Sequence, residues 1–347
     1  MQIRRGFTLA LAALTAGLLT GAAPGHAQAA AAPTATPLPL STVADVVSAG
    51  DRVFVSGGSS ATDVVVTSAT GTVIGTLSGL PGPTDLLLSA DRRTLYVALS
   101  NAIAAFDTGS LIESARYDTG AGECPSSLAL TGRYLWFGYG CGQGDGNIGR
   151  IDLGRQPARV DTGVAVGQYF YGSPLLAAAS QNRSVLLVGQ PWLSPASVYA
   201  YDIGAGGALS APRTNAFSAV GSNLRDVALD PTGTTLYTAA GSPPLVQAFP
   251  FAEIATPSAT YATGPYPRAV ELSRTGTMIA AGAHAYYAPD VFVFALDGTE
   301  LARYELGDEL PAGGLAWSPN GARVYAVSWD WTGARPAMLH VLPVPAG

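Results

Sequence analysis

The residue types with chemical potential in this chain lie between apolar segments. Carboxylates and arginines stand at Asp85, Glu123, Arg225, Asp226 and Arg268, and aromatics at Tyr169, Tyr171, Trp192, Tyr287, Trp329 and Trp331. Aromatic platforms beside charged groups suit the recognition of a sugar or a peptide: ring faces bury apolar surface while polar groups fix orientation. The same carboxylates and arginines, converging on one spot, are also the tools of a hydrolase or lyase. Tyr266, Tyr286, Asp145, Asp290, Glu309 and Asp330 occupy similar segments.

Other chemistries are poorly supplied. His26 lies in the N-terminal leader described below, leaving only His284 and His340, so no cluster has metal-ligand spacing. A serine-type triad needs a histidine base beside an oriented nucleophile, and no nucleophile-elbow motif is present. Asp145-Gly146-Asn147 lacks the further alternating carboxylates of a calcium loop. No metal and no cofactor is expected. Cys124 and Cys141 are the only cysteines; they flank a predicted hairpin that turns at Thr131-Gly132, and pairing outward from that turn brings them close to opposite each other. In an exported chain this predicts a disulfide.

What must position these residues is a repeat. Asp85-Leu-Leu-Leu-Ser-Ala-Asp-Arg-Arg-Thr-Leu-Tyr96, Asp226-Val-Ala-Leu-Asp-Pro-Thr-Gly-Thr-Thr-Leu-Tyr237 and Leu315-Ala-Trp-Ser-Pro-Asn-Gly-Ala-Arg-Val-Tyr325 each read as strand, tight turn, strand. Seven inner strands begin near Val43, Asp85, Ser127, Leu175, Asp226, Ala269 and Gly314. Second strands centre on Phe54, Tyr96, Trp136, Leu187, Tyr237, Ile279 and Tyr325, and a third, alternating strand follows in every unit. A more polar fourth strand fits the first six units. A period of roughly 40 to 50 residues with several short strands per unit is the signature of a β-propeller. The expected fold is therefore all-β, a seven-bladed β-propeller of four-stranded antiparallel blades. The chain ends before a seventh outer strand, so Thr34 to Leu40 is expected to close the last blade from the N-terminal side.

Residues 1–29 read as an export signal: Arg4 and Arg5, an apolar run from Phe7 to Leu19, then small residues ending at Ala27-Gln28-Ala29. Arg4-Arg5-Gly6-Phe7 resembles a twin-arginine motif, although ordinary secretion fits as well. Residues 30–347 then form one propeller domain, expected to be secreted and monomeric, with no membrane span. Without the leader the chain carries 16 arginines, no lysine and 24 acidic residues, a net charge of −8. An acidic chain without a basic cluster argues against nucleic acid as a partner.

The units resemble the Tyr-Val-Thr-Asn type of propeller repeat of secreted and surface bacterial propellers, related to lactonase-like and WD-repeat propellers. Thr94-Leu95-Tyr96-Val97-Ala98 followed by Ala102-Ile103-Ala104-Ala105-Phe106-Asp107-Thr108 is its clearest copy, and Tyr325-Ala326-Val327 a looser one. These motifs encode strand geometry. They imply a fold and leave activity open, because propellers host binding, scaffolding and catalysis on one frame.

In such a ring, the loops entering each inner strand share a face with those joining second and third strands. That face is expected to carry Asp85, Glu123, Tyr169, Tyr171, Trp192, Arg225, Asp226, Arg268, Tyr287, Trp329 and Trp331, while the opposite face receives terse turns. The favoured function is non-catalytic binding of a glycan, peptide or protein there. The alternative is a lactonase-like hydrolase or lyase using carboxylates and arginines at the channel mouth.

Overall fold

Alternating apolar residues separated by glycine turns leave each segment able to bury a face only against another sheet, and a ring of sheets is the result. The computed structural model describes residues 32–284, 286 and 289–345. The leader expected at residues 1–29, and Tyr287, lie outside the described residues.

Seven four-stranded antiparallel sheets are formed, each in sequence order from inner to outer strand except the last. The inner strands of blades 1 to 7 are Asp45–Ala49, Asp85–Leu88, Ser127–Thr131, Leu175–Ala178, Ser222–Leu229, Pro267–Leu272 and Leu315–Trp317. Blade 7 takes its outer strand from the other end of the chain. Thr34–Pro37 pairs with Met338–Pro343 in the register Thr34 to Val341 and Pro37 to Met338. Hydrogen bonds from Leu38 N–H to Ala337 O (2.8 Å) and from Ala337 N–H to Leu40 O (2.9 Å) prolong the seam. The outer edge of the last blade is thereby covered, as the sequence predicts.

The core is divided among the blade interfaces. Trp136, Ile148 and Phe170 pack with Leu186, Val188 and Tyr201 between blades 3 and 4, and Leu187 and Val198 pack with Leu224, Val227 and Leu236 between blades 4 and 5. At the seam, Val46, Val53 and Val55 of blade 1 meet Tyr325, Val327 and Leu339 of blade 7, with Leu38 and Leu40 among them. Each blade is thus half of two cores, which is why both faces of the inner and middle strands are apolar. Trp136, Tyr96, Tyr237 and Trp317 are buried in these cores.

Short turns reverse the inner hairpins. Ser127 pairs with Gly138 and Thr131 with Tyr134, so Gly132-Arg133 is a two-residue turn, and Gly132 takes the positive φ of +60° that it requires. Extending this register places residue 124 opposite residue 141, and Cys124 and Cys141 are bridged there with their Cα atoms 5.2 Å apart.

A second device ties blade to blade along the inner ring. The Asp45 carboxylate accepts the N–H groups of Val46 and Leu86 (both 2.7 Å). Asp85 accepts Leu128 N–H at 2.6 Å, the Ser127 hydroxyl accepts Leu176 N–H at 2.9 Å, and Asp226 accepts Val270 N–H at 2.8 Å. Apart from the local Asp45 to Val46 bond, each runs from one inner strand to the next blade, where an edge amide would otherwise lack a partner.

Candidate functional site

The inner strands enclose a channel of about 780 Å³, bounded at one mouth by Thr84, Ser126, Arg225 and Gly313 and near the other by Arg92, Arg183 and Arg274. Asp45, Asp85 and Asp226 line its wall. Asp85 and Asp226 are half-buried and Asp45 is buried within the ring. Burial pushes Asp85 up to about 7 and raises Asp226 well above the usual carboxylate range. Burial and the neighbouring Asp85 charge do the same to Asp45. Further in, enclosure raises Glu271 to about 7 against the opposing charge of Arg92.

The candidate residues divide into three groups. Asp85 and Asp226 are engaged by backbone amides as interblade clasps, a role that the sequence reading did not give them. Trp329 is half-buried against the blade 7 and blade 1 core, and its backbone N–H and C=O exchange bonds of 2.9 and 3.1 Å with Glu309. Among the outer-loop carboxylates, Asp145 accepts the Cys141 and Gly142 amides, Asp290 the Leu306 amide, and Asp330 the Thr332 amide and hydroxyl. These residues shape the loops that carry the others.

The second group is the exposed ring of aromatics. Among the described residues, the exposed aromatics are Tyr169, Tyr171, Trp192, Phe217, Tyr266, Tyr286 and Trp331. All seven lie in loops that either enter an inner strand or join second to third strands, and so share one face. The opposite face has none. Tyr169 and Tyr171 are held by Gln190, which donates to Tyr169 O and accepts Tyr171 N–H, and Gly144 N–H bonds Tyr171 O at 2.7 Å, joining their loop to the disulfide loop. Glu123 stands nearby, raised by burial and by Asp145. Phe217 was not singled out from the sequence. It sits in a small-residue loop with no charged neighbour to mark it.

The third group gathers around the channel mouth across blades 4 to 7. The Arg225 guanidinium lies 3.4 Å from the centroid of the Trp192 ring, a close cation–π contact. Arg268 forms an ion pair with Glu309 and also donates to Leu310 O at 3.2 Å. His284 Nε2 is 3.6 Å from the same Glu309 carboxylate, and its ring lies 6.3 Å from Tyr266 and 5.7 Å from Tyr286. Burial, then the Arg268 charge, pulls Arg225 down to about 10. His284 is lowered by burial and by both arginines, which favours its neutral form. Arg225 and Arg268 are thus brought together as the sequence reading expects, and His284 and Glu309 complete the cluster. The other described histidine, His340, is buried against Ser328 Oγ (2.8 Å) and pulled down to about 4.

Among the described residues no group of three or more metal-ligating side chains converges, and no helix is long and apolar enough to cross a membrane. No protein-family model matches the chain, and no curated protein matches it in sequence. In shape it is similar to a chain in the crystal structure of a mitotic checkpoint complex, with a TM-score of 0.67, 16% identity and 99% of each chain covered. A likeness at that identity concerns the fold alone. By its own seven sheets and by that likeness, the chain is a seven-bladed β-propeller.

Proposed function

We propose that this chain is an exported, non-catalytic propeller that binds a protein partner across its loop-bearing face. The observation that carries this is the segregation of exposed aromatics: all seven lie on one face of the ring, and tyrosine, tryptophan and arginine are the residues that dominate protein interfaces. Contiguous exposed apolar surface on a folded protein marks an interaction site. The leader expected from the sequence at residues 1–29, the disulfide and the acidic charge suit a protein that works outside the cell membrane.

Binding is favoured over turnover because Asp85 and Asp226, the carboxylates best placed for hydrolysis, already accept backbone amides. The test is affinity capture from the proteins that the host exports, comparing wild type with a Phe217→Ser, Trp331→Ser double variant. We expect a partner retained by the wild type and lost by the variant at unchanged melting temperature. Equal capture by both proteins, or steady turnover by the wild type in a lactone, ester and glycoside panel, would overturn the proposal.

A further inference from the structure

Arg225 and Arg268 occupy equivalent places in adjacent blades and share an irregularity. In blade 5, Leu224 pairs with Ala240 and Asp226 with Ala239, leaving Arg225 as the extra residue of a β-bulge. In blade 6, Pro267 pairs with Ala283 and Ala269 with Gly282, leaving Arg268 as the extra residue. The inner hairpins of the other five blades pair without a shift. Bulges of this kind re-aim a side chain and recur beside functional sites.

Three of the seven described non-glycine residues with positive φ lie at the same place. Trp192, Asn223 and Tyr266 all have positive φ, +68°, +60° and +57°. Hydrogen bonds hold two of them beside Arg225: Trp192 N–H to Leu224 O at 3.3 Å and Asn223 N–H to Leu193 O at 2.7 Å. Non-glycine residues in this conformation are disfavoured, and they cluster where a particular geometry is selected.

The charges around the mouth do not balance. Glu309 answers Arg268, and burial with the two arginine charges lowers His284, which favours its neutral form. Arg225 is half-buried, stacked on Trp192 and close to a second cation, yet no described side chain or carbonyl accepts a hydrogen bond from its guanidinium. A partly desolvated cation that no protein group accepts favours a ligand that supplies an acceptor. One uncompensated positive charge calls for a single negative charge, and a planar fork calls for a planar acceptor.

We propose that Arg225, supported by Arg268 and walled by Trp192 and Tyr266, is a carboxylate-binding site that anchors an Asp or Glu side chain from an acidic segment of the partner. This rests on the binding function above and adds the chemistry of the anchor. An acidic peptide is preferred to an acidic glycan because the aromatics spread over blades 3 to 7, a breadth that a protein surface would cover.

The test is calorimetric titration of the full chain with N-acetylated hexaglutamate at low ionic strength, with hexaglutamine and trigalacturonate as comparators. Hexaglutamate is expected to bind saturably and more weakly as salt is added, and hexaglutamine not to bind. Arg225→Gln should weaken binding by about tenfold or more, the range for a hydrogen bond to a charged group. Glu309→Gln, which frees the second guanidinium, should tighten it. Opposite signs from two neighbouring substitutions cannot come from general damage, and if Arg225→Gln fails to fold, the Glu309→Gln result still decides. Absence of hexaglutamate binding, equal binding by Arg225→Gln, weaker binding by Glu309→Gln, or preference for trigalacturonate would overturn the proposal. Partner capture that survives Arg225→Gln would leave the binding function standing while removing this site.

Discussion

The carboxylate of Asp85 accepts the backbone N–H of Leu128 at 2.6 Å, one blade further round the ring. Asp45 and Asp226 do the same for Leu86 and Val270. These bonds place acidic groups inside the ring, where their charged forms are poorly solvated, and that has a consequence for stability.

Asp85 titrates near 7 in the folded protein and near 3.8 when unfolded. Between those values the folded state holds a proton that the unfolded state has lost, so stability falls as pH rises through this window and levels off above about 7. Asp85→Asn keeps an oxygen for Leu128 and removes the charge. We expect the variant to melt several degrees above wild type at pH 8 and to approach it at pH 5, measured by thermal unfolding. A variant less stable than wild type at pH 8 would show that the charged clasp is favourable.

The ring closes through Thr34–Pro37. A chain beginning at Ser41 should lose the covered edge of blade 7 together with Leu38 and Leu40 from the seam core. Its melting temperature should fall by about 6 °C relative to a chain beginning at Ala31, as one transition, because burying two leucines is worth about 4 kcal/mol in all. Equal melting of the two chains would mean that the ring does not depend on this strand.

How much of this was legible beforehand follows from what the repeat encodes. Alternation and turn glycines place all seven hairpins, and one turn at Gly132 fixes the register that brings Cys124 and Cys141 together. The clasp role of Asp85 and Asp226 is not legible in sequence at either position alone, because a carboxylate at the inner edge of a ring looks the same whether it faces a ligand or a backbone amide. The signal that separates them is their recurrence with Asp45 at the start of an inner strand, since a position repeated from blade to blade serves the ring. The bulges at Arg225 and Arg268 left no mark, because the surrounding apolar pattern continues across them. His284 and Glu309 are 25 positions apart and meet only because blades 6 and 7 are neighbours.

Trp329 and Trp331 look alike in sequence and differ in place. Trp331 is 73% exposed, whereas Trp329 rests on the seam core. Trp329→Ala should destabilise by about 2 kcal/mol, below the range for a fully buried aromatic. Trp331→Ala should leave stability within about 0.5 kcal/mol, as for surface substitutions generally. Chemical denaturation of the two variants checks this, and equal losses would contradict the assignment of Trp329 to the core.

The Cys124–Cys141 bridge fastens the disulfide loop, on which the Tyr169 and Tyr171 segment rests through Gly144. A double serine variant should lose about 3 kcal/mol in the chain-entropy view of a loop of this size. Hydrogen exchange at Gly144 should quicken first, because its amide ties the two loops together. Unchanged exchange there in the variant would uncouple the disulfide from the aromatic face.

If one face of this propeller holds a partner, hydrogen exchange on the complex with the captured protein will locate it there. Exchange is expected to slow in the loops carrying Tyr169, Trp192, Phe217, Tyr266 and Trp331, with no change in the turns of the opposite face, such as the one carrying Ile112. Protection confined to that opposite face, or to the outer strands, would contradict it.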